Sequence, residues 1–168
     1  MLIVAAAAVH PVGERAAQQP PNWSLIEPGL YMGGREIKPP ADAQAVLNLS
    51  LRPDDYGVGA LGRGGVYRWD GIPDGEPAPS VEWLRQQVEF VDAQRSAGLT
   101  VFVHCDAGAS RSGLVTAAYL MWRDHLSRDE AIDRIRLKRS VILPNRWFLE
   151  LLLEWEKVVQ EEGGARRV

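Results

Sequence analysis

The chain has 168 residues, 46% of them hydrophobic, with six tryptophans and a formal net charge of −3 at pH 7; this is material for one domain with one good-sized core. The acidic balance gives no general attraction to nucleic acid or to an anionic membrane, so an anion-binding site has to be local. A single cysteine excludes an internal disulfide framework and fits a reducing compartment, most simply the cytoplasm.

Residues 1–21 read as an irregular N-terminal extension. The apolar run at their start is nine residues long, lacks a basic flank and leads into His10 and Pro11, which does not fit a signal peptide. No other stretch approaches the roughly 20 apolar residues of a membrane span, and no stable membrane association is expected. Two short strands follow from Trp23 to Gly34 around a Pro28-Gly29 turn. Residues 45–50 and 66–69 are apolar runs of strand length, read as inner strands of a sheet. Between them residues 52–65 hold five glycines, a loop of the kind that lines sites.

Ser80 is placed to cap a helix running to about Ala97, with Gly98 as its stop. Residues 100–103 form the next strand, and a helix begins near Ser112. Its stretch from Leu114 to Trp122 is apolar nearly all round, which implies burial. Ser127 and Glu130 form a capping-box pattern for a helix to about Lys138. The last helix starts near Asn145, and residues 161–168 read as a charged tail that frays. Arg134, Arg136, Lys138 and Arg139 are mixed with acidic residues and read as a solvated face with cations near a helix C-terminus.

The chemistry concentrates between the strand at 100–103 and the helix after it. Cys105 and Arg111 enclose Asp106, Ala107, Gly108, Ala109 and Ser110, small residues or residues easily turned outward, and Gly108 can take a positive φ. Such a loop can curl so that successive backbone N–H groups, with the N-terminus of the helix, converge on a tetrahedral oxyanion. Arg111 adds a planar fork of donors for two phosphate oxygens. The field that attracts a phosphate also stabilises a thiolate at Cys105. Thiolate attack on phosphorus requires an acid to protonate the departing oxygen, and Asp70 and Asp74 both lie upstream in a turn-rich segment.

His104, Cys105, Arg111, Ser112 and Gly113, at this spacing, resemble the signature of the cysteine-dependent protein tyrosine phosphatases, most closely the small dual-specificity type. The resemblance implies an α/β fold: a single domain over residues 22–160 with a central, mixed, mostly parallel sheet of about five strands flanked by helices. It implies hydrolysis of phosphotyrosine in proteins through a cysteinyl-phosphate intermediate, with phosphoserine and phosphothreonine left open. The Ile72-Pro73-Asp74 context resembles the family's general-acid loop, so Asp74 is taken as the acid with Asp70 in reserve. By the same resemblance Ser112 assists the thiolate as it departs, His104 orients the loop, and Asn145 braces the active-site loops by hydrogen bonds.

No cofactor is implied, since one cysteine and three scattered histidines make no metal cluster. The expected partner is a phosphorylated protein, not a nucleic acid, and the expected state is a monomer. Two alternatives stay open. A phosphoinositide or phosphoglycerolipid phosphatase uses the same loop, although Asp106 should repel a multiply phosphorylated headgroup. A non-catalytic phosphotyrosine-binding module could use the pocket without turnover.

Overall fold

The computed structural model describes residues 19–165. The irregular reading of the N-terminal extension falls almost wholly outside these residues, as do the last three residues of the tail. Five strands form one sheet: β1 (Trp23–Glu27), β2 (Leu30–Gly33), β3 (Ala45–Asn48), β4 (Val66–Trp69) and β5 (Val101–His104). Four helices accompany them: α1 (Val81–Ser96), α2 (Arg111–Asp124), α3 (Arg128–Arg136) and α4 (Arg146–Ala165).

The strand order is β1-β2-β5-β3-β4. β1 and β2 are the antiparallel hairpin read at Pro28-Gly29, with Gly29 at φ 83°, and every other pairing is parallel. The sheet is therefore mixed and mostly parallel, as expected. β5 lies at its centre, Val103 pairing with Met32 on one side and Leu47 on the other. A strand enclosed on both edges and both faces is apolar except where a buried partner satisfies a polar side chain, and all four residues of β5 are buried, with His104 the polar one at its end.

β4 differs from its reading as an inner strand: it is an edge, and Trp69 at its end is 49% exposed. A four-residue apolar run cannot by itself distinguish the two positions. Trp69 stands there because its Nε1 donates to the Ser50 carbonyl at 2.8 Å, which holds the indole along the edge.

The two faces of the sheet are covered differently. Leu30, Met32, Ala45, Leu47, Val101 and Val103 join the main core with side chains from all four helices. Val46 and Phe102, which alternate with them, pack instead on Ala43, Leu61, Tyr56 and Tyr67. The second face is thus closed by the glycine-rich loop between β3 and β4, whose residues Val58–Leu61 make a short 3₁₀ turn.

Local signals set the helix starts. The Ser80 side chain accepts from the Trp83 N–H at the head of α1, and Ser127 with Glu130 makes the reciprocal capping box of α3. Every residue of α2 from Arg111 to Met121 is buried, and Trp155 of α4 donates its Nε1 to the Ala118 carbonyl at 2.9 Å. α4 runs on to Ala165, five residues into the segment read as a tail. Among the described residues no helix is long and apolar enough to cross a membrane.

Candidate active site

β5 delivers His104 and then Cys105 to the C-terminal edge of the sheet, and α2 begins at Arg111, so the intervening five residues are held at both ends by buried elements. Gly108 takes φ 75°, the conformation for which glycine is suited. The carbonyls of the loop are then engaged one after another by donors outside it. Asp106 O accepts from the Arg35 N–H at 3.0 Å and Ala109 O from the Leu143 N–H at 3.0 Å. Ala107 O accepts from Asn22 Nδ2 at 3.3 Å and Gly108 O from Arg139 Nε at 2.7 Å. In a trans peptide each N–H points opposite the preceding carbonyl, so four carbonyls drawn outward turn the N–H groups of residues 107–110 inward. One is already aimed at the sulfur: the Gly108 N–H donates to Cys105 Sγ at 3.3 Å.

Cys105 is 2% exposed, and its Sγ also lies 3.3 Å from Ser112 Oγ. A thiolate there would receive both an N–H and an O–H, so Ser112 stands where it can stabilise sulfur when a bond to it breaks. Arg111 is buried with Nη1 donating to the Ile72 carbonyl at 3.2 Å and Nη2 to Asp106 Oδ2 at 3.0 Å. Its Nε has no partner among the described residues. A buried, unpaired guanidinium N–H is costly unless an anion completes it.

Ile72 lies two residues before Asp74, so the same arginine ties the upstream acid segment to the loop. Asp74 is exposed, and its Oδ1 accepts from Asn145 Nδ2 at 2.9 Å. The Asn145 N–H donates to Ser110 Oγ at 2.9 Å, and Asn145 Oδ1 accepts from the Phe148 N–H at 3.0 Å. Asn145 is therefore both the N-cap of α4 and a bridge from the loop to Asp74. Asp70 points elsewhere: its Oδ2 accepts from Gln87 Nε2 at 2.7 Å and from Arg68 at 3.3 Å.

Residues 72–158 match the family model described as dual specificity phosphatase, catalytic domain. The chain belongs to this family. Human dual specificity protein phosphatase 1 is 39% identical over 142 residues, an alignment that takes in 80% of this chain and 37% of that protein; the chain thus spans little more than a third of the relative's length. Among solved structures, human DUSP28 superposes with a TM-score of 0.71 at 24% identity, covering 84% of this chain and 97% of that one. PTPMT1 in complex with PI(5)P gives 0.70 at 24% identity, over 85% and 99%. At such identities these two establish the fold alone.

Three parts of this family site were not read from the sequence. The first is Asp54, which lies under the loop with its side chain 1% exposed. His104 Nε2 donates to Asp54 Oδ2 at 2.7 Å, Tyr67 donates to the same oxygen at 3.1 Å, and Arg35 Nη1 donates to Oδ1 at 3.1 Å. Burial alone would raise the Asp54 carboxyl, but the bond and charge of His104, with the tyrosines, hold it below its ordinary value. His104 stacks on Phe102 with ring centroids 5.0 Å apart and reaches the Cys105 carbonyl oxygen with Nδ1 at 3.2 Å, so the ring is fixed from three sides.

The second is Arg35, whose Nε donates to Asp106 Oδ1 at 3.0 Å. Between Arg35 and Arg111 the Asp106 carboxylate keeps a lowered pKa; burial opposes this, and the two guanidinium bonds outweigh it. The repulsion that the charge of Asp106 alone would exert on a multiply phosphorylated group is therefore offset by two cations. The third is Arg139. It is 6% exposed and does not share the solvated face of Arg134, Arg136 and Lys138. The helical turn continues past the end of α3, the Arg139 N–H bonding the Ile135 carbonyl at 2.8 Å, and this sets the side chain on the same inward face as the buried Ile135.

Proposed function

We propose that this chain removes phosphate from phosphotyrosine, phosphoserine and phosphothreonine in proteins, with residues 22–160 as the catalytic domain, working as a monomer in the cytoplasm. The observation that carries the reading is the bridge through Asn145: its N–H bonds Ser110 of the loop and its amide bonds Asp74, both at 2.9 Å. One residue thus couples the anion loop to a carboxylic acid in a separate segment, as a two-step displacement needs.

In the first step Cys105 Sγ attacks phosphorus in line with the ester oxygen. The S–P bond forms, the P–O bond breaks, and Asp74 gives its proton to the departing oxygen. In the second step Asp74, now a carboxylate, takes a proton from water as the water oxygen attacks phosphorus. The S–P bond breaks, Ser112 donates to the leaving sulfur, and inorganic phosphate departs. Arg111, through its free Nε, and the N–H groups of Ala107, Ala109 and Ser110 hold the equatorial oxygens in both steps. Asp106 supplies the backbone carbonyl that turns the first of these amides inward, and Gly108 gives its N–H to sulfur.

The family membership and the human relative support a phosphoprotein substrate. The test is hydrolysis of an aryl phosphate in the presence of a chelator, against pH, for the native chain, Cys105→Ser and Asp74→Ala. A bell-shaped profile is expected, since one group must be ionised and the other protonated, with turnover lost in the serine variant and reduced by about 10²–10⁴ in the alanine variant. Binding of vanadate without hydrolysis by the native chain would overturn the reading in favour of a phosphotyrosine-binding module. Faster release of phosphate from a phosphoinositide than from phosphopeptides would overturn the substrate class.

A further inference from the structure

Four charged side chains set around Cys105 compensate one another. Arg111 and Arg35 share Asp106, Arg35 reaches on to Asp54, and Asp54 also takes His104. Asp74 is exposed and is held by the neutral amide of Asn145. Arg139 stands apart. Its guanidinium is buried against the back of the loop, and its partners are three neutral acceptors: Gly108 O at 2.7 Å, Ser24 Oγ at 3.3 Å and Asn22 Oδ1 at 2.5 Å. No carboxylate pairs with it among the described residues. Arginine stays charged even so, and a buried, unpaired charge is expensive unless an anion nearby completes it.

The fold is built to admit this group. A Cβ on Gly108 would come within 2.4 Å of Arg139 Nη2 and of the Gly34 backbone nitrogen, and within 2.5 Å of the Gly33 carbonyl carbon, so the glycine leaves room for both the guanidinium and the end of β2. Burial pulls the arginine below its ordinary pKa, and the field of the Cys105 sulfur works in the opposite direction.

We propose that Arg139 is a positioning residue for the reaction: it holds the Gly108 carbonyl away from the phosphate while the Gly108 N–H reaches Cys105 Sγ, and its unshared positive charge favours a thiolate there from behind the loop. This rests on the reading of Cys105 as the nucleophile. Asn22 and Ser24, which precede and open β1, orient the guanidinium, so the hairpin at one side of the sheet supports the loop at its centre.

The experiment is the rate of Cys105 alkylation by iodoacetamide against pH, which reports the thiolate whether or not the chain hydrolyses esters. It is run on the native chain, Arg139→Gln and Arg139→Lys. Glutamine keeps a donor for Gly108 O without the charge, and lysine keeps the charge. The glutamine variant should shift the midpoint of the alkylation curve up by about one pH unit, and lysine should stay close to native. kcat/KM for an aryl phosphate should fall at least about tenfold in the glutamine variant at pH below that midpoint.

A midpoint unchanged in both variants would overturn the proposal, and so would equal upward shifts in both, which would make Arg139 a neutral brace. If the glutamine variant has lost its thermal transition, the lysine variant decides alone: a native midpoint with reduced kcat/KM supports the proposal, and a midpoint raised by a full unit refutes it. Absence of ester hydrolysis in the native chain would count against the phosphatase reading, while the alkylation curves would still decide the role of Arg139.

Discussion

Asn145 performs two tasks with opposite ends of one amide, and two substitutions separate them. Its Oδ1 caps α4 by accepting the Phe148 N–H at 3.0 Å, and its Nδ2 donates to Asp74 Oδ1 at 2.9 Å. Asn145→Ala removes both. Loss of an N-cap costs about 1 kcal/mol, which for a domain of this size lowers Tm by roughly 2–4 °C. A hydrogen bond to the neutral, protonated acid that the first step needs is worth about 0.5–1.5 kcal/mol. Asp74 is exposed and water can replace part of the bond, so kcat/KM should fall by roughly two- to tenfold.

Asn145→Asp keeps the cap, since aspartate accepts at an N-cap as well as asparagine and suits the N-terminal end of a helix. It removes the donor and sets a second carboxylate against Asp74. Its Tm should stay within about 1 °C of native, while kcat/KM falls at least as far as in the alanine variant. Differential scanning calorimetry and aryl phosphate kinetics on the same preparations decide the matter. Native turnover in the aspartate variant would show that the amide is not needed to hold the acid, and a Tm as low as that of the alanine variant would show that the cap does not support α4.

Three further outcomes follow from the same contacts. Asp70→Asn should leave turnover within roughly threefold of native, because Asp70 serves Gln87 and Arg68; a loss matching that of Asp74→Ala would return the acid role to Asp70. Gly108→Ala should destabilise by about 2 kcal/mol or more in urea titrations, since the backbone holds φ 75° and the new Cβ meets Arg139; a midpoint unchanged within error would mean the loop has room that its geometry denies. The Asp54 carboxyl lies below its ordinary value of 3.8, so its contribution to stability is fully present above that value and is lost as pH falls through the lowered one. Between pH 7 and pH 3 the native chain should therefore lose more stability than Asp54→Asn, as read from urea midpoints, and parallel losses would refute the linkage.

What could be read from the sequence divides along the range of the forces involved. The strand before Cys105, the glycine that turns the loop and the helix after Arg111 depend on neighbours a few residues away, and so do the caps at Ser80 and Ser127. The edge position of β4 depends on which strands flank it, which no four-residue window contains. The inward aim of the loop is non-local in the same way. Its amides face a common point because Asn22, Arg35, Arg139 and Leu143 draw the carbonyls outward, and these four lie on three segments remote from Cys105 in the chain. Charge alone groups Arg139 with Arg134, Arg136 and Lys138, whereas it stands four residues after the buried Ile135, whose carbonyl takes its N–H at 2.8 Å, and so continues the inward face past the end of α3 at Arg136. A motif of five consecutive small or polar residues permits an anion loop; the basic residue that closes its back and the end of β2 both use the space that Gly108 leaves, and that arrangement appears only when residues 33–34, 108 and 139 are brought together.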